Sequence, residues 1–220
     1  MYTTKLNINK MDLLVSLYIA CIAIAELMGA KTFPIAIPGL PRLNASVAIF
    51  VLPLIFTIND VITEVYGKER TRSVVRSGLL VIGFLMLFSL LAVHLPASSR
   101  FMPSEPAYDT IFGLSVRISA ASLIAFTVAE FTDILVFVKI RKKLGNKSLW
   151  LRNNVSNIIS QFFDTTLFMT LAFYAFNQSV SSNVHFLLSI IIPYWLLKCS
   201  MSVLETPLVY WGVKWLKEDK

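Results

Sequence analysis

Acidic side chains recur inside the apolar segments of this chain, where little water is available to solvate a carboxylate. Asp60 and Glu64 lie four residues apart near the end of one segment, and Glu130 and Asp133 lie three apart near the end of another. Both spacings place two like charges on one face of a helix, where they repel. Carboxylates at membrane depth usually face a bundle interior or a watery cavity. The two pairs therefore indicate a polar binding site.

Two further segments each carry a polar stripe at helical spacing. One stripe contains Asn153, Asn157, Ser160, Gln161 and Asp164, and the other contains Trp195, Lys198, Ser202 and Glu205. The opposite faces consist of Leu, Ile, Val and Phe, a pattern typical of helices that line a cavity. Asp164 would lie roughly 16 Å and Lys198 roughly 20 Å into their segments. A purely structural interpretation, in which ion pairs such as Lys198 with Asp164 only hold the bundle together, stays open.

The composition indicates a membrane protein with several spans. Of 220 residues, 56% are hydrophobic and 15% are charged, against roughly 25% charged residues in typical globular chains. The net charge of +7 has a simple source in basic cytoplasmic loops, so we expect no nucleic-acid partner. Cys21 and Cys199 lie in apolar runs and predict neither a disulfide nor zinc binding. The first apolar run contains Glu26 and no convincing cleavage site, so it is interpreted as a retained span.

The chain is predicted to be an all-α integral membrane protein, one polytopic domain over residues 1–220 with six transmembrane helices. The spans are expected at about residues 12–30, 45–65, 74–94, 115–138, 154–176 and 186–213, each near the roughly 20 residues that cross a bilayer core. Fifteen of the 20 Lys and Arg residues flank the spans on one side, four lie on the other, and Lys198 lies within a span. Because cytoplasmic loops collect basic residues, both termini are predicted to be cytoplasmic.

Enzyme chemistry has little support in the sequence. His94 and His185 lack metal-ligand spacing, and neither a nucleophile motif nor a phosphate-binding glycine loop is visible. We therefore expect no catalytic residue, no metal and no cofactor, and no ATP hydrolysis by the chain itself. An intramembrane enzyme that uses Asp60 and Asp164 is the alternative.

Three blocks resemble one family of membrane transporters. They are PLIFTINDVITEVYGKERTR (53–72), EFTDILVFVKIRKKLGNKSLWLRNNVSNIISQFFDTTLF (130–168), and the Lys198 segment that ends in Thr206-Pro207. This pattern resembles the queuosine precursor transporter family, also called the vitamin uptake transporter family. The resemblance covers essentially the whole chain and implies inward transport of 7-deazaguanine queuosine precursors, of preQ0 or preQ1 type, across the bacterial inner membrane. Glu26 and Glu130 stand where the resemblance leads us to expect Asn and Gln, and additional acids favour a cationic aminomethyl precursor over the neutral cyano one.

The chemistry of a guanine-like base fits the polar residues. A carboxylate can accept hydrogen bonds from the ring N–H and the exocyclic amine together, and the amide of Asn153 or Gln161 can serve the carbonyl edge. The substrate-binding set predicted on both grounds is Asp60, Glu64, Glu130, Asp133, Asn153, Gln161, Asp164 and Lys198. Aromatic rings that can stack on the base are those of Phe56, Phe126, Phe162 and Trp195, with mere packing as the alternative. Arg152 is expected to shape a cytoplasmic gate together with Asn153.

We thus expect a transporter that works by alternating access around a midplane site, with a deazapurine and the lipid bilayer as partners. One alternative is the substrate-binding membrane subunit of a larger ATP-driven complex, and another is a non-transporting membrane scaffold. The preferred precursor, proton coupling and the oligomeric state, a homo-oligomer included, stay open at this point.

Overall fold

The computed structural model describes residues 9–35, 43–144, 149–204 and 206–217. These residues form α1 (Lys10–Met28), α2 (Leu52–Tyr66), α3 (Lys68–Ala92), α4 (Glu105–Leu144), α5 (Leu149–Phe173), α6 (Val180–Leu204) and α7 (Thr206–Lys217). Two short strands, β1 (Thr32–Ile35) and β2 (Leu43–Ser46), pair in antiparallel fashion, with Thr32 opposite Ser46. The prediction of an all-α chain is therefore correct for the membrane helices and wrong for the connection after α1, which contains this hairpin.

Most of these helices are long and apolar enough to cross a membrane. Five apolar segments qualify: Lys10–Met28, Val47–Tyr66, Glu69–Ala92, Met102–Ala129 and Val180–Ser200. A shorter apolar segment, Ile158–Phe173, lies in α5. α4 begins ten residues before the predicted fourth span, and the predicted sixth span covers parts of both α6 and α7. The chain is thus a multi-pass membrane protein, while the count of six crossings stays a prediction.

One face of α3 shows how the bundle meets its surroundings. Leu80, Phe84, Leu87, Phe88 and Leu91 follow helical spacing, and each has more than half of its surface exposed. An exposed apolar stripe of this length is unfavourable in water and suits contact with lipid chains.

The first three helices pack closely at one end of the bundle. Tyr18 and Ile22 of α1 join Ile58 and Ile62 of α2 and Val74 of α3 in a buried apolar cluster. α3 approaches α1 at Gly78, where an added Cβ would lie 2.7 Å from Ile22 Cδ1. A side chain at position 78 would therefore require the end of the Ile22 side chain to move.

The hairpin packs against α5 and α6 at the other end. Ala45 of β2 is fully buried among Met169, Ile190 and Tyr194, and Asn44 Nδ2 donates a hydrogen bond to Ser189 Oγ at 2.7 Å. These contacts bring the strands onto the helices, so that β2 closes over the centre of the bundle.

The two ends of the described chain lie together. Lys10 Nζ, in the first turn of α1, donates to the main-chain oxygen of Trp215 in α7 at 2.7 Å and lies 5.1 Å from the centroid of its ring. α7 also packs against α2, where Gly212 allows Val61 to approach. The start of α1, the end of α2 and the end of α7 thus share one end of the bundle.

Candidate substrate site

An ion pair joins α5 and α6 at the centre of the molecule. Lys198 Nζ lies 2.5 Å from Asp164 Oδ2, and the two side chains are 14% and 26% exposed. Removing charged groups from water costs several kcal/mol per ion unless the pairing is good. The short contact offsets part of that cost, and the Asp164 side chain also borders open space.

That open space is a central cavity of about 230 Å³. Each of the helices α1 to α6 contributes to its lining, and Ser46 of β2 closes it on one side. A neighbouring recess, also of about 230 Å³, is lined by Phe56, Phe126, Ala129, Ser160, Gln161, Asp164 and Lys198. The two spaces share Phe126, Asp164 and Lys198. Together they reach the range of about 300–1,000 Å³ that is usual for small-molecule sites.

Several predicted site residues therefore lie together. Gln161 and Asp164, one helical turn apart on α5, line the recess with Lys198 of α6. Phe56 of α2 and Phe126 of α4 supply its aromatic walls. The polar stripe of α5 continues past Asp164 to Thr165, which is buried against the central cavity.

A second carboxyl group lies in the wall of the central cavity. Glu26 of α1 is only 5% exposed, and its carboxyl group interacts with the hydroxyls of Ser119 and Ser122 on α4. Glu26 Oε2 and Thr165 Oγ1 are buried without a hydrogen-bond partner in the described part of the chain. Buried polar atoms are nearly always hydrogen-bonded, so these two atoms mark places where a ligand or water belongs.

The hairpin side of the cavity is closed by a polar chain. Tyr194 of α6 donates its hydroxyl to the main-chain oxygen of Ser46 at 2.9 Å, and Ser46 Oγ donates to Gly29 O at 2.6 Å. These bonds hold α6, β2 and the end of α1 together above the cavity.

Asp60 and Glu64 lie elsewhere. Both are solvent-accessible and line a cleft of about 530 Å³ between α2 and α7, together with Tyr210, Lys214 and Lys217. Because this cleft is near the end of α2, the structure does not bring these two acids into the central cavity.

Phe162 and Trp195 also lie outside the central cavity and its recess. Their rings meet edge to face, with centroids 5.5 Å apart, and Phe162 is 43% exposed. The indole N–H of Trp195 reaches the main-chain oxygen of Ile158 at 3.4 Å. The pair ties α5 to α6 on an outer face, as the packing alternative for these rings anticipates.

Four predicted site residues, Glu130, Asp133, Arg152 and Asn153, have side chains outside the described part of the structure. Their backbones belong to α4 and α5.

A family model described as "Putative vitamin uptake transporter" matches residues 46–212, most of the chain. The chain belongs to this family. The match confirms the resemblance, and because the family is one of transporters, it also confirms that the chain is a transporter and not an enzyme. No solved structure matches the chain.

Three curated relatives of this chain carry similar names. A "Probable queuosine precursor transporter" of Bacillus subtilis is 35% identical over 170 residues, which are 76% of this chain and 70% of the relative. A protein of the same name in Haemophilus influenzae is 29% identical over 126 residues, and the "Queuosine precursor transporter" of Escherichia coli is 26% identical over 128. These alignments cover 56% and 57% of this chain but only 49% and 53% of the two relatives.

For a transporter, the central cavity and its recess offer mainly apolar walls with polar groups at two levels. The separation of the two levels follows from positions along α4. Ser122 interacts with Glu26 at one level, and Phe126, four residues further along, lines the recess with Asp164. Four residues of helix correspond to about 6 Å. Acceptors at both levels and aromatic walls between them suit a planar ligand with hydrogen-bond donors at each end.

Sequence reasoning did not place Tyr18, Thr165 or Tyr194 in the site, and it treated Glu26 as an acid that favours a cationic precursor without listing it among the binding residues. All four line the central cavity. For Glu26 the signal is present, since a lone acid inside an apolar run is costly. Tyr194 is four residues from Lys198 and Trp195 is three. Both spacings are close to one helical turn, so the spacing pattern alone favours neither aromatic ring.

Proposed function

We propose that this chain is a bacterial inner-membrane protein that imports a queuosine precursor of the 7-deazaguanine class. The observation that carries the proposal is a partly buried Asp–Lys pair beside aromatic rings in a membrane bundle, in a chain 35% identical to a relative named as a queuosine precursor transporter. Charged side chains inside a membrane bundle are costly and usually mark a functional site.

Binding would use the Asp164 carboxylate. It accepts hydrogen bonds from the ring N–H and exocyclic amine of the base, a charge-assisted and bidentate contact. The amide of Gln161, which lines the same recess, serves the carbonyl edge. Phe126 and Phe56 flank the flat ring, and Lys198 neutralises Asp164 when the site is empty.

Transport would proceed by alternating access around this site. Six spans with both termini in the cytoplasm are proposed, and the contact between Lys10 and Trp215 supports termini on one side. The bonded chain from Tyr194 through Ser46 to Gly29 then closes the outer side. Asp60 and Glu64 line the inward exit cleft, and Glu130, Asp133, Arg152 and Asn153 remain predicted for the same end.

Uptake of a radiolabelled precursor tests the proposal, in a bacterium that lacks its own precursor synthesis and carrier. The wild type should accumulate label, and Asp164→Asn should reduce uptake at least tenfold, because an amide cannot replace a charge-assisted acceptor. Asp12→Asn, at the exposed start of α1, is the matched control and should transport normally. Equal uptake by Asp164→Asn at normal membrane levels would remove Asp164 from the site.

The same precursor, offered to proteoliposomes that contain only the purified chain, separates a transporter from a subunit of an ATP-driven complex. We expect saturable uptake without ATP. Uptake that required ATP and a partner chain would replace the proposal with the subunit alternative.

A further inference from the structure

The unpartnered carboxyl oxygen of Glu26 points to a feature of the ligand. Glu26 is 95% buried, given its 5% exposure, and it lines the central cavity. The serine hydroxyls of α4 interact with the carboxyl group, but Oε2 has no hydrogen-bond partner among the described residues. A carboxylate in such a place is costly unless a cation or several donors reach it.

With Glu26 ionised, the charges that face the cavity do not balance. Among the described residues in its lining, Glu26 and Asp164 carry carboxylates and Lys198 carries the ammonium. Lys198 bonds to Asp164, so no described cation in the lining is left for Glu26. A ligand with one positive charge at the Glu26 level would complete the balance.

We infer that Glu26 binds the ammonium group of a cationic substrate, so that the preferred 7-deazaguanine carries a primary aminomethyl group. This inference rests on the proposed function and names the substrate within it. The guanine-like edge lies against Asp164 and Gln161, and the ammonium reaches Glu26 about one helical turn away along α4. The ammonium donates three hydrogen bonds, to Glu26 Oε2 and to other oxygens of the lining such as Thr165 Oγ1, which is also unpartnered among the described residues.

Competition against labelled substrate tests the inference with two unlabelled analogues. The probes are 7-aminomethyl-7-deazaguanine, which is cationic, and the hydroxymethyl analogue, which has nearly the same shape and is neutral. In the wild type, the cationic analogue should compete at least tenfold better, as expected for one charge-assisted hydrogen bond in a buried site. In Glu26→Gln, that ratio should fall to within about threefold of unity, because the amide keeps the size and loses the charge.

Two more variants keep the result interpretable. Glu26→Asp retains the carboxylate and should retain a preference for the cationic analogue. If Glu26 had a merely structural role, the competition ratio would be the same in Glu26→Gln and Glu26→Asp. Glu69→Gln is the matched control, since Glu69 is exposed and pairs with Arg72 on the surface, and its ratio should equal that of the wild type. Membrane levels are measured for each variant with an epitope tag.

The outcomes separate the inference from the proposed function. If the wild type transports the labelled precursor but shows a ratio near one, the inference is wrong and the proposed function stands. A high ratio that Glu26→Gln leaves unchanged also overturns the inference, and it would assign Glu26 the role of a neutral, protonated acid. If neither analogue competes and no precursor is taken up, the proposed function fails and the inference falls with it.

Discussion

At the scale of single residues, the Asp164–Lys198 pair suits a site that binds and releases a ligand repeatedly. A buried ion pair seldom adds net stability, because desolvation cancels much of the attraction. Removal of one partner is nevertheless harmful, since it leaves a charge that nothing compensates. Such a pair compensates both buried charges while no ligand is bound. A ligand can then compete with Lys198 for the Asp164 carboxylate, which is a strong hydrogen-bond acceptor.

Lys198→Met should therefore destabilise the protein more than its loss of contacts suggests. We expect a lower Tm in detergent for Lys198→Met, and recovery of much of that loss in Lys198→Met/Asp164→Asn, with a coupling of about 1–3 kcal/mol. Thermal unfolding of wild type, both single variants and the double variant measures this cycle. Lys31→Met, at an exposed lysine just before β1, controls for loss of a lysine, and additive losses in the cycle would contradict the coupling.

The residues found from sequence and those missed differ in a physical way. Helical spacing identified Gln161, Asp164 and Lys198 because three- and four-residue steps bring side chains onto one face. It also selected Trp195 in place of Tyr194, since both positions suit that face. Spacing within a helix cannot tell which neighbouring helix a face meets, and that contact decides which of the two rings lines the cavity.

At the scale of elements, the turn between α2 and α3 depends on one glycine. Gly67 has φ 84° and ψ 166°, a region that is essentially restricted to glycine. It ends α2 with a hydrogen bond from its N–H to Thr63 O at 2.9 Å and allows α3 to begin at the next residue. The backbone here turns back within one residue, which sets α2 beside α3.

Gly67→Ala should lower stability by about 1–3 kcal/mol, the usual cost of a side chain in such a conformation. No atom lies within 4 Å of the added Cβ, so the loss would come from the backbone and not from a clash. Gly83→Ala, in α3 and also with open space around its Cβ, is the matched control. It should be neutral or slightly stabilising because alanine favours helix. Detergent-solubilised Tm values compare the two, and equal shifts would contradict the backbone explanation.

The placement of Asp60 and Glu64 shows what a sequence motif leaves open at this scale. The sequence alone predicted that the two acids lie near the end of a span and share one face of a helix. α7 packs on the end of α2, with Val61 against Gly212, and this contact encloses the two acids in a cleft of their own. Val61 and Gly212 are about 150 residues apart in the sequence. The sequence of either helix alone therefore does not predict that the two helices pack together.

At the scale of the whole molecule, the bundle is polarised between two ends. The hairpin, β2 above all, covers one end through Tyr194 and Ser46, and the basic chain ends meet at the other through Lys10 and Trp215. The cavity lies between them. The number of spans and the side of each connection were predicted from apolar length and basic charge, whereas the hairpin was not, because short strands between prolines resemble an irregular loop.

The proposed orientation predicts opposite accessibility for two exposed connections. Ser98 lies between α3 and α4, and Glu69 lies just after Gly67, at the end where the acids and basic residues collect. In a background with Cys21 and Cys199 replaced by alanine, a membrane-impermeant thiol reagent should label Ser98→Cys in intact cells and Glu69→Cys only in inside-out vesicles. The physical reason is that Lys68, Arg70, Arg72 and Arg76 hold their connection in the cytoplasm. Labelling of both sites from one side would mean that α3 does not cross the membrane, and the reverse pattern would invert the bundle and place the hairpin inside the cell.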